Sequence, residues 1–145
     1  MINLLPVYSI KLVREREIPY SSKISSSLAA HSLLAEYLKD ADREHFVVLL
    51  LDAQNQVIGL NTVAIGSLTA ATVHPREVFK PAILANANAV MLCHNHPSGD
   101  LAPSEQDLTL TRLLVLAGQA LGIKVVDHLI ISDNTYLSFV DEKLL

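Results

Sequence analysis

The stretch CHNHPSGDLAPSEQD (Cys93–Asp107) follows the apolar run AVML and changes character abruptly. An apolar, β-prone segment runs into two histidines one residue apart. A Pro-Ser-Gly turn comes next, then a second proline, then a serine with an aspartate three positions on. Pro and Gly break regular structure, and Ser followed by an acid at the third position marks a helix start. The stretch therefore predicts a strand end, a tight loop and a helix N-terminus in direct succession. In a strand, residues two apart point to the same face, so His94 and His96 present their imidazoles together. A helix whose first turn returns to that strand end brings Asp107 beside them. Two nitrogens and a carboxylate oxygen leave one position open in a tetrahedral zinc shell, where water is acidified toward a pKa of about 7. Each part alone has an ordinary reading: His-x-His pairs often occur without metal, Ser104 alone is a helix cap, and Asp107 alone is a capping acid. The joint arrangement is what points to a hydrolytic metal centre.

Outward from this stretch, SEQDLTLTRLLVLAGQALG reads as a long amphipathic helix, capped by Ser104 and ended by Gly122. IKVVDHLIISD is a strand, and TYLSFV alternates as a short, edge-like last strand after an Asp-Asn turn. Upstream, SSSLAAHSLLAEYLKDAD predicts a first helix, with a serine near Ser25 as cap and Leu28, Leu34 and Leu38 facing the core. HFVVLLLD, apolar throughout and bounded by charge, is a central strand, and QVIGLNTVAIG is its hairpin partner. Gly66 allows a sharp change of direction. HPREVFKPAILANANA is helical, with Pro75 in the first turn and Pro81 either kinking the helix or opening a second segment. YSIKLVREREI is a candidate edge strand in an N-terminal arm spanning residues 1–24. Residues 25–145 form the single domain. The alternation of strands and helices gives an α/β or α+β fold with helices flanking a mixed sheet. Neither a dinucleotide glycine fingerprint nor a P-loop is present.

Half of the 145 residues are hydrophobic and 18% are charged, which supplies a real core and argues against disorder. The net charge of −4 does not favour a polyanionic partner. The single cysteine, Cys93, excludes disulfides within the chain and fits a reducing compartment. No apolar run reaches membrane-spanning length, and the N-terminus has the wrong order of charge and apolar residues for a secretory signal. The expectation is a soluble cytoplasmic protein.

HNHPSGDLAPSEQD resembles the signature of the JAB/MPN metallopeptidase superfamily: His-x-His-Pro, seven residues from the second histidine to a serine, two more, then aspartate. HFVVLLLDAQNQVIG, GSLTAATVHPREVFKPAILANANAVMLCHNHPSGD and LGIKVVDHLIISD are similar to its RadC-like bacterial branch. The resemblance covers about residues 40 to 140. It carries the JAB domain alone, without the helix-hairpin-helix region of longer members. It implies a curved mixed sheet flanked by helices, akin in layout to the cytidine-deaminase fold. It also implies Zn2+ on His94, His96 and Asp107, Ser104 as a donor to a developing oxyanion, and an upstream glutamate, here Glu44, as general base. The last assignment is chemically apt, because a metallohydrolase needs a nearby base to relay the proton of water to the leaving amine. Glu77 is its competitor.

The leading function is a zinc-dependent hydrolase of the metallopeptidase or isopeptidase kind, acting on a peptide or protein. The alternatives are a DNA-repair-associated protein, for which the branch's historical label is the only support, and a metal-stabilised interaction module without turnover. A nuclease would need a phosphate clamp, for which Arg76 and Arg112 are the only candidates. Direct nucleic-acid binding and membrane association are not expected. The arm and the last strand offer edges for a homodimer. His31 is expected to have no site role, and His45 to point away from Glu44. His74 and His128 either line the cleft or support it from behind. Asp127 and His128 lie on opposite faces of their strand, so only one faces the site. Cys93 is expected to be a buried, inert thiol.

Overall fold

The computed structural model describes residues 1–20, 23–69 and 72–145. The elements run α1 (Ser27–Leu38), β1 (His45–Leu51), β2 (Val57–Ile65), α2 (Pro75–Leu84), β3 (Ala89–Asn95), α3 (Glu105–Leu121), β4 (Lys124–Ile131) and β5 (Tyr136–Ser138). The five strands form one mixed sheet in the order β2-β1-β3-β4-β5. Only β3 and β4 are parallel, and α3 makes the crossover between them; the other three pairings are antiparallel. The fold is the open mixed sheet with flanking helices that the sequence predicts.

The sheet is covered on both faces, which is why β1 and β3 are mostly apolar and buried at nearly every position. On one face Phe46, Val48, Leu50, Val90 and Leu92 pack with Val78, Phe79 and Ala82 of α2 and Leu110 and Leu114 of α3. On the other, Val47, Leu49, Leu51, Met91, Cys93, Leu129 and Ile131 pack with Ala30, Leu34 and Leu38 of α1. His94 continues the alternation of Val90 and Leu92, so it faces the α2/α3 side. Cys93 lies in the core under α1, and burial pushes its thiol pKa far up, as an inert cysteine requires.

β4 carries the feature that sets the site. Val90 pairs with Val125, but Met91 pairs with Asp127, so Val126 is an extra residue in the ladder. Such a bulge reverses the alternation that follows it. Val125 faces α2 and α3, Val126 and Asp127 both fall on the α1 side, and His128 returns to the face of His94.

Several local expectations are corrected. Residues 1–20 form no strand, and their apolar side chains, from Met1 to Val13, are exposed; a strand-like segment becomes a strand only when it pairs, and these residues pair with neither sheet edge. The cap of α1 is a serine next to Ser25, as expected: the Ser26 side chain accepts from the Ala29 amide. Leu28 is 61% exposed, because the buried stripe is Ala30, Leu34 and Leu38 at a strict spacing of four. α2 runs through Pro81 without dividing into two segments. β1 is interior to the sheet, paired with β2 and β3, as its apolar run predicts. Gly66 and Gly122 have positive φ, as their turns require. Among the described residues, no helix is long and apolar enough to cross a membrane.

Candidate metal centre

At the C-terminal end of β3 the chain leaves the sheet, loops through Pro97–Pro103 and re-enters as α3. The helix start is built by a reciprocal capping box. The Ser104 side chain accepts from the Asp107 amide at 3.0 Å, and the Ser104 amide donates to Asp107 Oδ2 at 2.8 Å. This pair fixes the Asp107 carboxylate against the strand end. Its Oδ1 lies 3.4 Å from His94 Nε2 and its Oδ2 3.5 Å from His96 Nε2, while the two Nε2 atoms are 3.0 Å apart. His94, His96 and Asp107 are the group able to hold a metal ion among the described residues. The spacing suits an ion: bonds of about 2.0–2.1 Å in a tetrahedral shell place neighbouring ligand atoms about 3.3–3.4 Å apart. Two imidazoles with one carboxylate are also a ligand chemistry that zinc favours.

The surroundings tune these groups. Burial by itself would raise the Asp107 pKa. The neighbouring His94 and the bond from the Ser104 amide outweigh it and hold the carboxyl well below the usual range. Asp107 is thus ready as an anionic ligand, and the N-terminal end of α3 favours its charge as well. His96 Nδ1 lies 2.5 Å from the Asp100 carbonyl. A carbonyl only accepts, so His96 carries a proton on Nδ1 and turns Nε2 toward the cluster. Behind His94, its Nδ1 meets His128 Nε2 at 2.8 Å, and His128 Nδ1 meets Thr111 Oγ1 at 2.6 Å. His128 is fully buried, packed against the rings of Phe46 and Phe139. Burial, reinforced by nearby His94 and His96, lowers its pKa well below the ordinary value despite the opposing pull of Asp107.

Glu44 sits immediately before β1, and its Oε1 is 3.9 Å from His96 Nε2. An open cleft of about 410 Å³ lies over the cluster, with Glu44, His96, Ser104 and Asp107 in its walls beside Leu68, Pro97, Ser98, Asp100, Ala102 and Gln106. The carboxylate of Glu44 owes its place to Asn95. The Asn95 side chain, on the opposite face of β3 from the histidines, accepts from the His45 amide at 2.6 Å and donates to the Arg43 carbonyl at 3.0 Å. It clamps the backbone on both sides of Glu44, and the Glu44 carbonyl is held in turn by the Gly66 amide at 2.8 Å.

The five residues singled out by the sequence, Glu44, His94, His96, Ser104 and Asp107, therefore converge on one place. Glu77 is not among the cleft's lining residues; it is paired with Lys80 and Arg76 on the surface of α2. Arg76 and Arg112 are likewise absent from the lining. His74 is a structural residue, the N-cap of α2, with Nδ1 accepting from the Arg76 amide. His45 turns its Nδ1 to the Arg43 carbonyl and does not line the cleft. His31 stacks on Tyr136, away from the site. Sequence reasoning missed Asn95 and Thr111. The signal for Thr111 was present: a threonine one helical turn after Asp107, between Leu110 and Leu114 on the buried stripe.

A mixed sheet whose strand end carries a His-x-His pair, joined by an aspartate from the next helix in a cluster able to hold a metal ion, defines an α+β domain of the JAB/MPN layout. The profile described as "RadC-like JAB domain" matches residues 24–144, and the chain belongs to that family. It is similar to a UPF0758 protein of Desulforamulus reducens, 50% identical over 113 residues, which are 78% of this chain and 50% of that protein. UPF0758 proteins of Staphylococcus haemolyticus (46% over 127 residues, 88% and 56%) and Methanosarcina mazei (45% over 120 residues, 83% and 52%) are similar as well. The chain spans about half the length of the curated relatives it matches.

Proposed function

We propose that this domain is a zinc-dependent hydrolase that cleaves peptide or isopeptide bonds. The observation that supports the proposal is the open cleft, whose walls include Glu44 and Ser104 beside the metal-ligand set. His94, His96 and Asp107 would hold the ion. Bound there, zinc supplies Lewis acidity, which acidifies water and polarises a carbonyl. Glu44 is not needed as a ligand, and its carboxylate reaches the same space from the rim. It accepts the proton of the attacking water and delivers it to the departing amine, as a general base and then acid. The Ser104 hydroxyl accepts from the Asp107 amide but keeps its own hydrogen, which it donates to the carbonyl oxygen as negative charge builds there. Capping and catalysis are compatible in one hydroxyl. No Lys or Arg is among the lining residues, and the net charge is −4, so the proposed substrate is a peptide or protein and not a nucleic acid. The buried free thiol fits a reducing, cytoplasmic setting. An edge-to-edge homodimer through β5 or the arm is compatible with this function but not required by it.

A metal-stabilised interaction module without turnover is the second reading. In its favour, the ligand set and the buried network behind it are complete without Glu44 and without the Ser104 hydroxyl hydrogen. One comparison separates the two. Zinc-loaded parent and Glu44→Gln are each presented with a broad peptide library. The hydrolase reading expects cleavage by the parent, with the variant keeping zinc and losing about 10²–10⁴ in rate. A parent that holds zinc and cleaves nothing establishes the module instead, and a variant as active as the parent removes Glu44 from the role of base.

A further inference from the structure

We infer that Thr111 and His128 are positioning residues that lock the proton of His94 onto Nδ1, so that its bare Nε2 faces His96 and Asp107. The inference rests on the metal-site reading but not on turnover. It follows from donor counting along a buried chain. Thr111 Oγ1 lies 2.6 Å from the Asp107 carbonyl oxygen, which only accepts, so the hydroxyl spends its single hydrogen there. The same hydroxyl lies 2.6 Å from His128 Nδ1 and has only lone pairs left to offer, so His128 Nδ1 carries a hydrogen. His128 is fully buried between Phe46 and Phe139, and with the Nδ1 hydrogen directed to Thr111 its Nε2 is the atom left to accept from His94. His94 Nδ1, 2.8 Å away, must then donate. His96 is set the same way by the Asp100 carbonyl.

The two Nε2 atoms thus meet at 3.0 Å as acceptors beside a carboxylate, an arrangement that calls for a cation between them. The direction of the whole chain is dictated by one backbone carbonyl, that of Asp107, whose side chain is itself a ligand. The first turn of α3 therefore delivers the third ligand and sets the tautomer of the first. The bulge at Val126 is what makes this possible, because without it His128 would not share the face of His94.

The test reads imidazole nitrogens directly. In metal-free protein labelled with 15N at histidine, His94 (assigned by comparison with His94→Ala) should carry its proton on Nδ1. Thr111→Ser keeps the hydroxyl and should match the parent. Thr111→Val keeps the shape but removes the acceptor, freeing His128 to place its hydrogen on Nε2 and turn it toward His94. The proton of His94 should then shift toward Nε2, and zinc affinity, measured by competition with a chelating dye, should weaken by about 10–100-fold. A parent with His94 protonated only on Nε2 overturns the inference even if the valine variant fails to fold. So does a folded Thr111→Val protein with the parent's tautomer and affinity. A parent with the Nδ1–H tautomer that binds no zinc supports the relay and overturns the metal reading alone.

Discussion

Replacing Asn95 with leucine isolates the clamp that holds Glu44. The side chain is 7% exposed, and leucine nearly matches its size, so the change removes hydrogen bonds without opening a large cavity. Two bonds are lost, to the His45 amide at 2.6 Å and to the Arg43 carbonyl at 3.0 Å. Each contributes about 0.5–1.5 kcal/mol net, and leaving their half-buried partners without a replacement places the sum at about 1–3 kcal/mol. For a chain of this length that corresponds to a drop of about 3–10 °C in the unfolding midpoint. The assay is thermal unfolding followed by circular dichroism in metal-free buffer, so that ligand binding does not mask the change. Zinc stoichiometry should be unchanged, because the Asn95 side chain lies on the opposite face from the ligands. Rate, where hydrolysis is measurable, should fall with the loss of a fixed Glu44. An unchanged unfolding midpoint would refute the reasoning, since it would mean that neither bond holds the segment.

Ser104→Ala removes the cap acceptor and should cost about 0.5–2 kcal/mol in chemical denaturation, with turnover falling roughly a hundredfold or more if the hydroxyl serves the oxyanion; unchanged turnover would leave only the cap. Gly118→Ala should destabilise by about 1–3 kcal/mol, because an added Cβ collides with the Ile123 carbonyl oxygen and sits 3.2 Å from Phe79 Cζ; a more stable variant would show that α3 shifts freely there. Burial raises the Asp127 pKa in spite of its bonds from Ser138, Val140 and His128. Its protonated form therefore favours the native state, and the associated stability is present below the unfolded pKa of about 3.9 and lost as pH rises through the folded value. Asp127→Asn should lack that component, so unfolding midpoints of parent and variant compared at low and neutral pH should differ in slope, and parallel profiles would contradict it.

The local signals in the sequence carried the site's frame. Alternation in AVMLCHN, the Pro and Gly of the loop and the Ser104–Asp107 cap are short-range features, and each settles the conformation of its own segment. The features that were not legible depend on distant partners. Whether Asp127 or His128 faces the site turns on the bulge at Val126, which exists only against β3. Asn95 looks idle in a strand because the backbone it clamps lies 50 residues away. In α1, Leu28, Leu33, Leu34, Tyr37 and Leu38 offer apolar groups in several directions, so composition alone does not choose the Ala30, Leu34, Leu38 stripe. Residues 1–20 of the N-terminal arm include a strand-like segment but pair with neither edge of the sheet, and local pattern does not decide such a pairing.

Metal content tests the central claim most directly. Parent, His94→Ala and Asp107→Asn proteins are stripped with chelator, reconstituted with zinc, desalted and measured by elemental mass spectrometry, with circular dichroism confirming the fold. The account predicts about one zinc per chain in the parent and strongly reduced occupancy in both variants, since each removes or weakens one of three ligands. A folded parent that returns no zinc, or variants that retain as much as the parent, would contradict it.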